Sequence, residues 1–237
     1  MSRSTFRASR WLGAGLAWLL VAPATVALIP EPAAAQGETV PLPITLPRPV
    51  FPGTPRDIPA GTSVERTDGR PRAIPQVPRG TVNLALNRKV TSSRAPFAFS
   101  LDLVTDGNKE ARETTAVELR PGLQWVQIDL GAVATIHYVC VWHYHLEPVV
   151  VRDVIVQLSN DPTFLDGVTT IFNNDQDNSA GLGVGRDREY FETSEGRLIP
   201  ARGVKARYVR LYSRGSTFKD PLNRYTEVEV FGQQSAP

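Results

Sequence analysis

The chain has 237 residues, 41% of them hydrophobic, with 26 basic and 24 acidic side chains and a formal charge of +2. Setting aside Arg3, Arg7, Arg10 and Glu31 of the first 35 residues leaves 23 of each sign, so no cationic excess remains to displace phosphate counterions, and nucleic acid is excluded as a partner. One cysteine, Cys140, rules out an internal disulfide framework, and stability must come from packing, with or without help from a metal.

At the N-terminus, Arg3, Arg7 and Arg10 precede the apolar stretch Trp11 to Ala22, and Pro30-Glu31-Pro32 leads into Ala33-Ala34-Ala35. This is the order of a secretory signal peptide over residues 1–35, cleaved after Ala35, with Ala22-Pro23-Ala24 offering a second small-residue site. A retained membrane anchor is the competing reading, against which Pro23 and Pro30 interrupt a run that hardly reaches the ~20 residues of a span. The mature chain is therefore expected to be secreted and to carry no transmembrane segment. From Gln36 to Gly80 there are ten prolines and no sustained apolar period, which predicts an extended, semi-rigid linker over 36–80, either a stalk or a leader without a role.

Residues 81–233 are left for one domain, with 234–237 as a tail. Here apolar residues alternate over short runs punctuated by Gly, Pro, Asn and Asp, the pattern of an all-β sandwich. In Gln124–Leu130, Val126, Ile128 and Leu130 point one way and Gln127 and Asp129 the other, with Gly131 as the end of the strand. Ile136–Tyr144 is more continuously apolar, and Asp153–Leu158 follows with Val154, Val156 and Leu158 on one face; the two are expected to form a central pair. Cys140 sits inside the first of these runs and reads as a small buried hydrophobe rather than a nucleophile. Thr169–Phe172, Arg207–Tyr212 and Glu227–Phe231 are β-branched and aromatic, and Pro162–Leu165 allows one turn of helix.

Five segments taken together resemble the discoidin family, the coagulation factor 5/8 type C domain: Asn83–Ser93, Val104–Asn108, Trp125–Gly131, Ala206–Tyr212 and Glu227–Gly232, in order across Asn83 to Gly232. The resemblance implies a jelly-roll sandwich of the galactose-binding-like type, closer to bacterial secreted members because no cysteine pair staples the termini. It also implies binding rather than catalysis, with carbohydrate or a cell-surface glycan as the leading partner and an extracellular protein as the alternative. For the sugar-binding branch it implies a structural calcium ion held by the carbonyl of Leu103, the carboxylate of Asp106, the carbonyls of Asn108, Ala111 and Thr226, and the carboxylate of Glu227. Ala111 departs from the threonine usual there, with Thr114 and Thr115 close by. A tight turn at Asp106-Gly107-Asn108 is the competing reading.

Sugar recognition calls for an aromatic platform and directional polar groups at its edge. Three connections offer these types: Arg94, Phe97 and Phe99 in the first, His145 and Arg152 in the second, Phe218 and Asn223 in the third. For at least one of Phe97 and Phe99, packing under its own loop is the preferred reading, and Arg224 and Tyr225 are read as flanking the last strand. His143 and His145 share a strand face without a third zinc ligand, so His145 is assigned to a polar pocket or to water. Asp175–Gly181 fails as an EF-hand because its glycine falls one place late and Arg186 stands where the closing glutamate belongs; an ordered surface loop over 173–188 is expected. No serine lies in a Gly-x-Ser-x-Gly elbow and no carboxylate pair is singled out, so no enzymatic activity is expected.

Overall fold

The computed structural model describes residues 37–57 and 62–234. Residues 1–36, which include the segment expected to be an export signal, residues 58–61 and the last three residues lie outside the described residues. The strands are β1 (Thr39–Pro41), β2 (Gln76–Pro78), β3 (Val82–Asn83), β4 (Val90–Ser92), β5 (Val117–Leu119), β6 (Gln124–His143), β7 (Ile155–Ser159), β8 (Thr169–Asn173), β9 (Arg197–Ser213) and β10 (Asn223–Gln234). A 3-10 turn at Leu101–Val104, capped by the Ser100 hydroxyl, leads into the first acidic loop.

Two strands are unusually long, β6 with 20 residues and β9 with 17, and each belongs to both layers of the sandwich. Over Gln124–Asp129, β6 runs between β4 and the Tyr208–Ser213 end of β9. From Ala134 it runs between β10 and the Arg197–Ala206 end of β9. The register breaks between these halves, where Gly131 takes φ +86°, a left-handed conformation that glycine adopts without a Cβ penalty. One continuous antiparallel sheet, ordered β3-β10-β6-β9-β7-β8 with β4 on β6 and β5 on β10, is thus folded over on itself. The all-β sandwich expected from the sequence is present.

The core lies inside this fold. Val126, Ile128 and Leu130 meet Val139 and Val141 of the same strand, together with Val156 and Leu158, Val209 and Leu211, and Val228 and Val230. The inward set changes from even to odd positions at a second irregularity between Ile136 and Tyr138. The other face of that half-strand is therefore also apolar. Cys140 and Trp142, fully buried, join Phe231, Leu42 and Val77 in a second cluster outside the sandwich core.

Leu42 and Val77 come from the segment read as a linker. Its described residues do not stand free: β1 and β2 pair antiparallel, and the ribbon lies over Trp142. The expectation over 36–80 is corrected accordingly, because alternate apolar residues between prolines suffice to cover an apolar sheet face. Three smaller corrections follow. Gly131 bends its strand rather than ending it. The partners of β7 are β8 and β9 rather than β6. Residues 161–166 form a turn rather than a helix, with the Asp161 carboxylate accepting from the amides of Thr163, Leu165 and Asp166.

Candidate functional site

Three loops converge at one end of the sandwich. Phe97 donates its amide to the Glu118 carbonyl at 2.7 Å, and Ala98 bridges Glu118, which places the 94–100 loop beside β5. The Arg152 amide bonds the Gly215 carbonyl at 3.0 Å, and Val151 bridges Ser216, which joins the 144–152 and 213–224 loops. Tyr144 and Phe218 meet across that junction as a tilted pair with centroids 5.2 Å apart. Arg224 lies over both rings, 5.4 Å from Tyr144 and 5.0 Å from Phe218.

Arg224 is held from below by two carboxylates. Its Nη1 and Nη2 donate to Asp220 at 2.9 and 2.8 Å, and its Nε donates to Glu118 at 2.8 Å. These bonds hold the Asp220 carboxyl below the usual carboxylate range, against a smaller opposing effect of burial. Burial, then Glu147, push the Tyr144 phenol up, with Arg224 opposing and Glu113 and Glu118 adding to the rise. The result is a fixed aromatic and guanidinium surface whose cation is already neutralised.

Phe97 is 59% and Phe99 47% exposed, so neither packs under its own loop, and Phe99 holds φ +64°, a strained value for an aromatic residue. Arg94 and Arg152 are exposed at the same end, and Phe218 is half-buried in the ring pair. Asn223 is instead a buried staple: its Oδ1 accepts from the Ser213 hydroxyl and the Gly215 amide, and its Nδ2 donates to the carbonyls of Arg120 and Gly122. With its hydrogen-bonding capacity spent inside the protein, Asn223 shapes the loops rather than offering itself to a ligand. His145 is also buried, with Nε2 on the Lys109 carbonyl at 3.0 Å, and burial lowers its pKa. It braces the acidic loop and is absent from the exposed surface.

The acidic loop and the last strand do meet. The Gly107 amide donates to Glu227 Oε2 at 3.2 Å, and Lys109 pairs with Glu229 one pleat further along. Glu227 is fully buried and its Oε1 has no hydrogen-bond partner among the described residues. Burial pushes the Glu227 carboxyl up to about 9, opposed by the Gly107 amide and reinforced by Glu229 and Asp106. Asp106 and Asn108 are exposed, Leu103 and Ala111 half-buried and Thr226 buried, its hydroxyl donating to the His143 carbonyl at 2.8 Å. Thr115 closes the loop from within, donating to the Glu110 carbonyl at 2.6 Å. A buried carboxylate oxygen without a partner, beside a second carboxylate, is a donor set that fits a hard cation.

Two other groups resolve differently. His143 Nδ1 lies 2.6 Å from Glu192 inside the protein, so the histidines do not gather round a metal. Asp153, Asp175 and Asp177 approach within 4.8 Å of one another. Asp175, however, already accepts from the amides of Ser179 and Ala180, and Arg214 stands 3.8 Å from Asp153. The 173–188 segment is the ordered loop expected.

Tyr144, Glu118, Asp220 and the platform role of Arg224 escaped the sequence reading. Arg224 and Asp220 are an i, i+4 pair of opposite charge, a signal that was available, although outside a helix that spacing carries little weight. No helix among the described residues is long and apolar enough to cross a membrane. No family model matches the chain, and no curated protein matches it. Solved structures similar to it include the CBM32 module of AlyQ in complex with 4,5-unsaturated mannuronic acid, 20% identical with a TM-score of 0.45, covering 60% of this chain and 93% of that one. A Streptococcus pneumoniae fucose binding module, SpX-3, is 15% identical with a TM-score of 0.45, covering 63% and 96%. The family 89 glycoside hydrolase from Clostridium perfringens is 17% identical with a TM-score of 0.49, covering 65% of this chain but 15% of the hydrolase.

Proposed function

We propose that the chain is an exported, non-catalytic carbohydrate-binding module that takes its ligand at the end built by the 94–100, 144–152 and 213–224 loops. The observation that carries this reading is the Tyr144–Phe218 pair fixed under Arg224, with Phe97 and Phe99 exposed at the same end. A pyranose ring presents an apolar C–H face that stacks on an aromatic ring and a rim of hydroxyls that both donate and accept. Arg94 and Arg152 are exposed donors there, and the second carboxylate oxygen of Glu118, the one that does not accept from Arg224, is an acceptor. Because Asp220 and Glu118 neutralise Arg224, the platform suits a polar ligand without demanding an anion.

Calcium belongs to the same reading. The carboxylates of Asp106 and Glu227 and the carbonyls of Leu103, Asn108, Ala111 and Thr226 would hold it; Ala111 lacks the side-chain oxygen of a threonine. The partnerless Oε1 of Glu227 supports this assignment. Bound calcium would supply the charge that keeps Glu227 ionised and would tie the acidic loop to β10. Export rests on the Arg3–Ala35 segment, with cleavage after Ala35. Docking of an extracellular protein is a second reading, favoured by the exposure of both Phe97 and Phe99.

A glycan array probed with the exported protein, in calcium and again in chelator, with melting curves under both conditions, tests these points together. The expected result is specific glycan binding that F218A reduces at least tenfold, and a lower Tm in chelator. Silence across the array from a folded protein would transfer the reading to a protein partner, and an unchanged Tm would remove the ion.

A further inference from the structure

The proline-rich segment is fastened to a part of the molecule that leads directly to the candidate binding end. Val64 bridges Glu189 in parallel, the Glu65 amide donates to the Glu189 carbonyl at 2.7 Å, and the Glu65 carboxylate accepts from Arg197 at 2.6 Å. Arg72 donates to the carbonyls of Gly196 and Glu195, each at 2.9 Å, and its amide bonds the Glu195 carboxylate. Two sets of bonds about seven residues apart thus grip both ends of the 189–197 ribbon.

That ribbon in turn supports the next one. Phe191 bridges Val150, and the Glu192 amide donates to the Val149 carbonyl at 2.8 Å. The Thr217 amide bonds the Val150 carbonyl at 2.9 Å, and Val151 bridges Ser216. Phe218, the next residue, is half of the ring pair. From segment 63–65 to the aromatic platform there is an unbroken succession of backbone rungs, all outside the named strands. Rungs in such peripheral ribbons depend on their neighbours, because a ribbon freed on one side loses the bonds that order it.

We propose that the proline-rich segment is a working part of the ligand-binding end: Glu65 and Arg72 are positioning residues that hold the 189–197 ribbon, and through it the 149–152 and 215–218 loops, in their binding geometry. This rests on the reading that the loop end takes a ligand. It replaces the role of a stalk, since a spacer needs no bonds to the domain that it carries. Coupling along a chain of contacts has to be demonstrated rather than read from adjacency, and each rung here offers an amide that reports on it.

The test is amide hydrogen exchange on the full chain without ligand, comparing wild type, the double variant Glu65→Ala with Arg72→Ala, and Arg79→Ala. Arg79 pairs with Glu38 on the solvent side of the same segment and serves as the control. The expected result is exchange at least tenfold faster at Glu192, Arg152 and Thr217 in the double variant, unchanged rates at Val228 and Val230, and no effect of Arg79→Ala. Faster exchange confined to residues 62–72 and 189–190 would overturn the proposal. On the same glycan array the double variant is expected to lose at least fivefold in signal while Arg79→Ala keeps it; full signal from the double variant would also overturn it. An array silent even for wild type would sink the carbohydrate reading alone, and the exchange rates would still decide this one.

Discussion

Asp220 is anchored to Arg224 by two hydrogen bonds, and that bond pair gives one corner of the candidate site a definite response to acid. The Arg224 bonds lower the carboxyl below its ordinary 3.8, so the folded state binds its proton less readily than the unfolded state. The stabilisation is therefore complete above pH 3.8 and is lost as pH falls through the lower, folded value. D220N is expected to cost on the order of 1 kcal/mol near neutrality, an amount limited by partial solvent screening, and nothing at the acid end. Urea unfolding of both proteins from pH 2 to 7 measures this; a constant difference across the range would contradict it. Gly196 is constrained in another way. It holds φ +61°, and a Cβ there would come within 2.6 Å of the Trp142 ring, whose Nε1 donates to the Ser194 carbonyl. G196A is expected to destabilise by about 2–3 kcal/mol, read from the shift in the denaturation midpoint.

Among the elements, the half-strand from Ala134 to His143 explains the longest apolar run in the domain. A strand buried on one face alternates, whereas one buried on both reads as continuous, and Ile136–Tyr144 is continuous because the sandwich core lies on one side and the β1–β2 ribbon on the other. The ribbon is thin, and Leu42, 3% exposed, is one of its two fully inserted side chains. L42A is expected to lower stability by about 2–4 kcal/mol. It should also expose Cys140, whose thiol burial pushes far above its usual pKa and shields from reagents. Native-state labelling with a thiol reagent is expected to be slow in wild type and at least tenfold faster in L42A. Equal rates would mean that the ribbon does not guard this face.

For the molecule as a whole, alternation along short strands was enough to read the class and most of the inward residues, because each of those choices is local: Val126, Ile128 and Leu130, or Val228 and Val230, face inward by parity alone. Parity could not reveal where it would reverse. The register breaks at 129–134 and 136–138 depend on strands distant in sequence, and they are what fold one sheet into two layers. At the candidate site, the residue types of the loops were legible, but the exposure of both Phe97 and Phe99 was not, since burial of one of them under its own loop is the preferred reading of the sequence. The roles of the loop residues were not legible either, since whether Asn223 faces a ligand or staples the 120–122 and 213–215 segments together depends on partners up to 103 residues away. The same holds for Glu227, a polar strand residue in sequence and a buried carboxyl with a partnerless oxygen in space. The amino-acid order by itself determined the strand periods, the charge balance, the lone cysteine and the ten prolines between residues 36 and 80. Only the tertiary structure decided that the described part of this segment covers Trp142 and bonds the 189–197 ribbon, because burial and hydrogen-bond satisfaction belong to pairs of distant segments and neither segment encodes them alone.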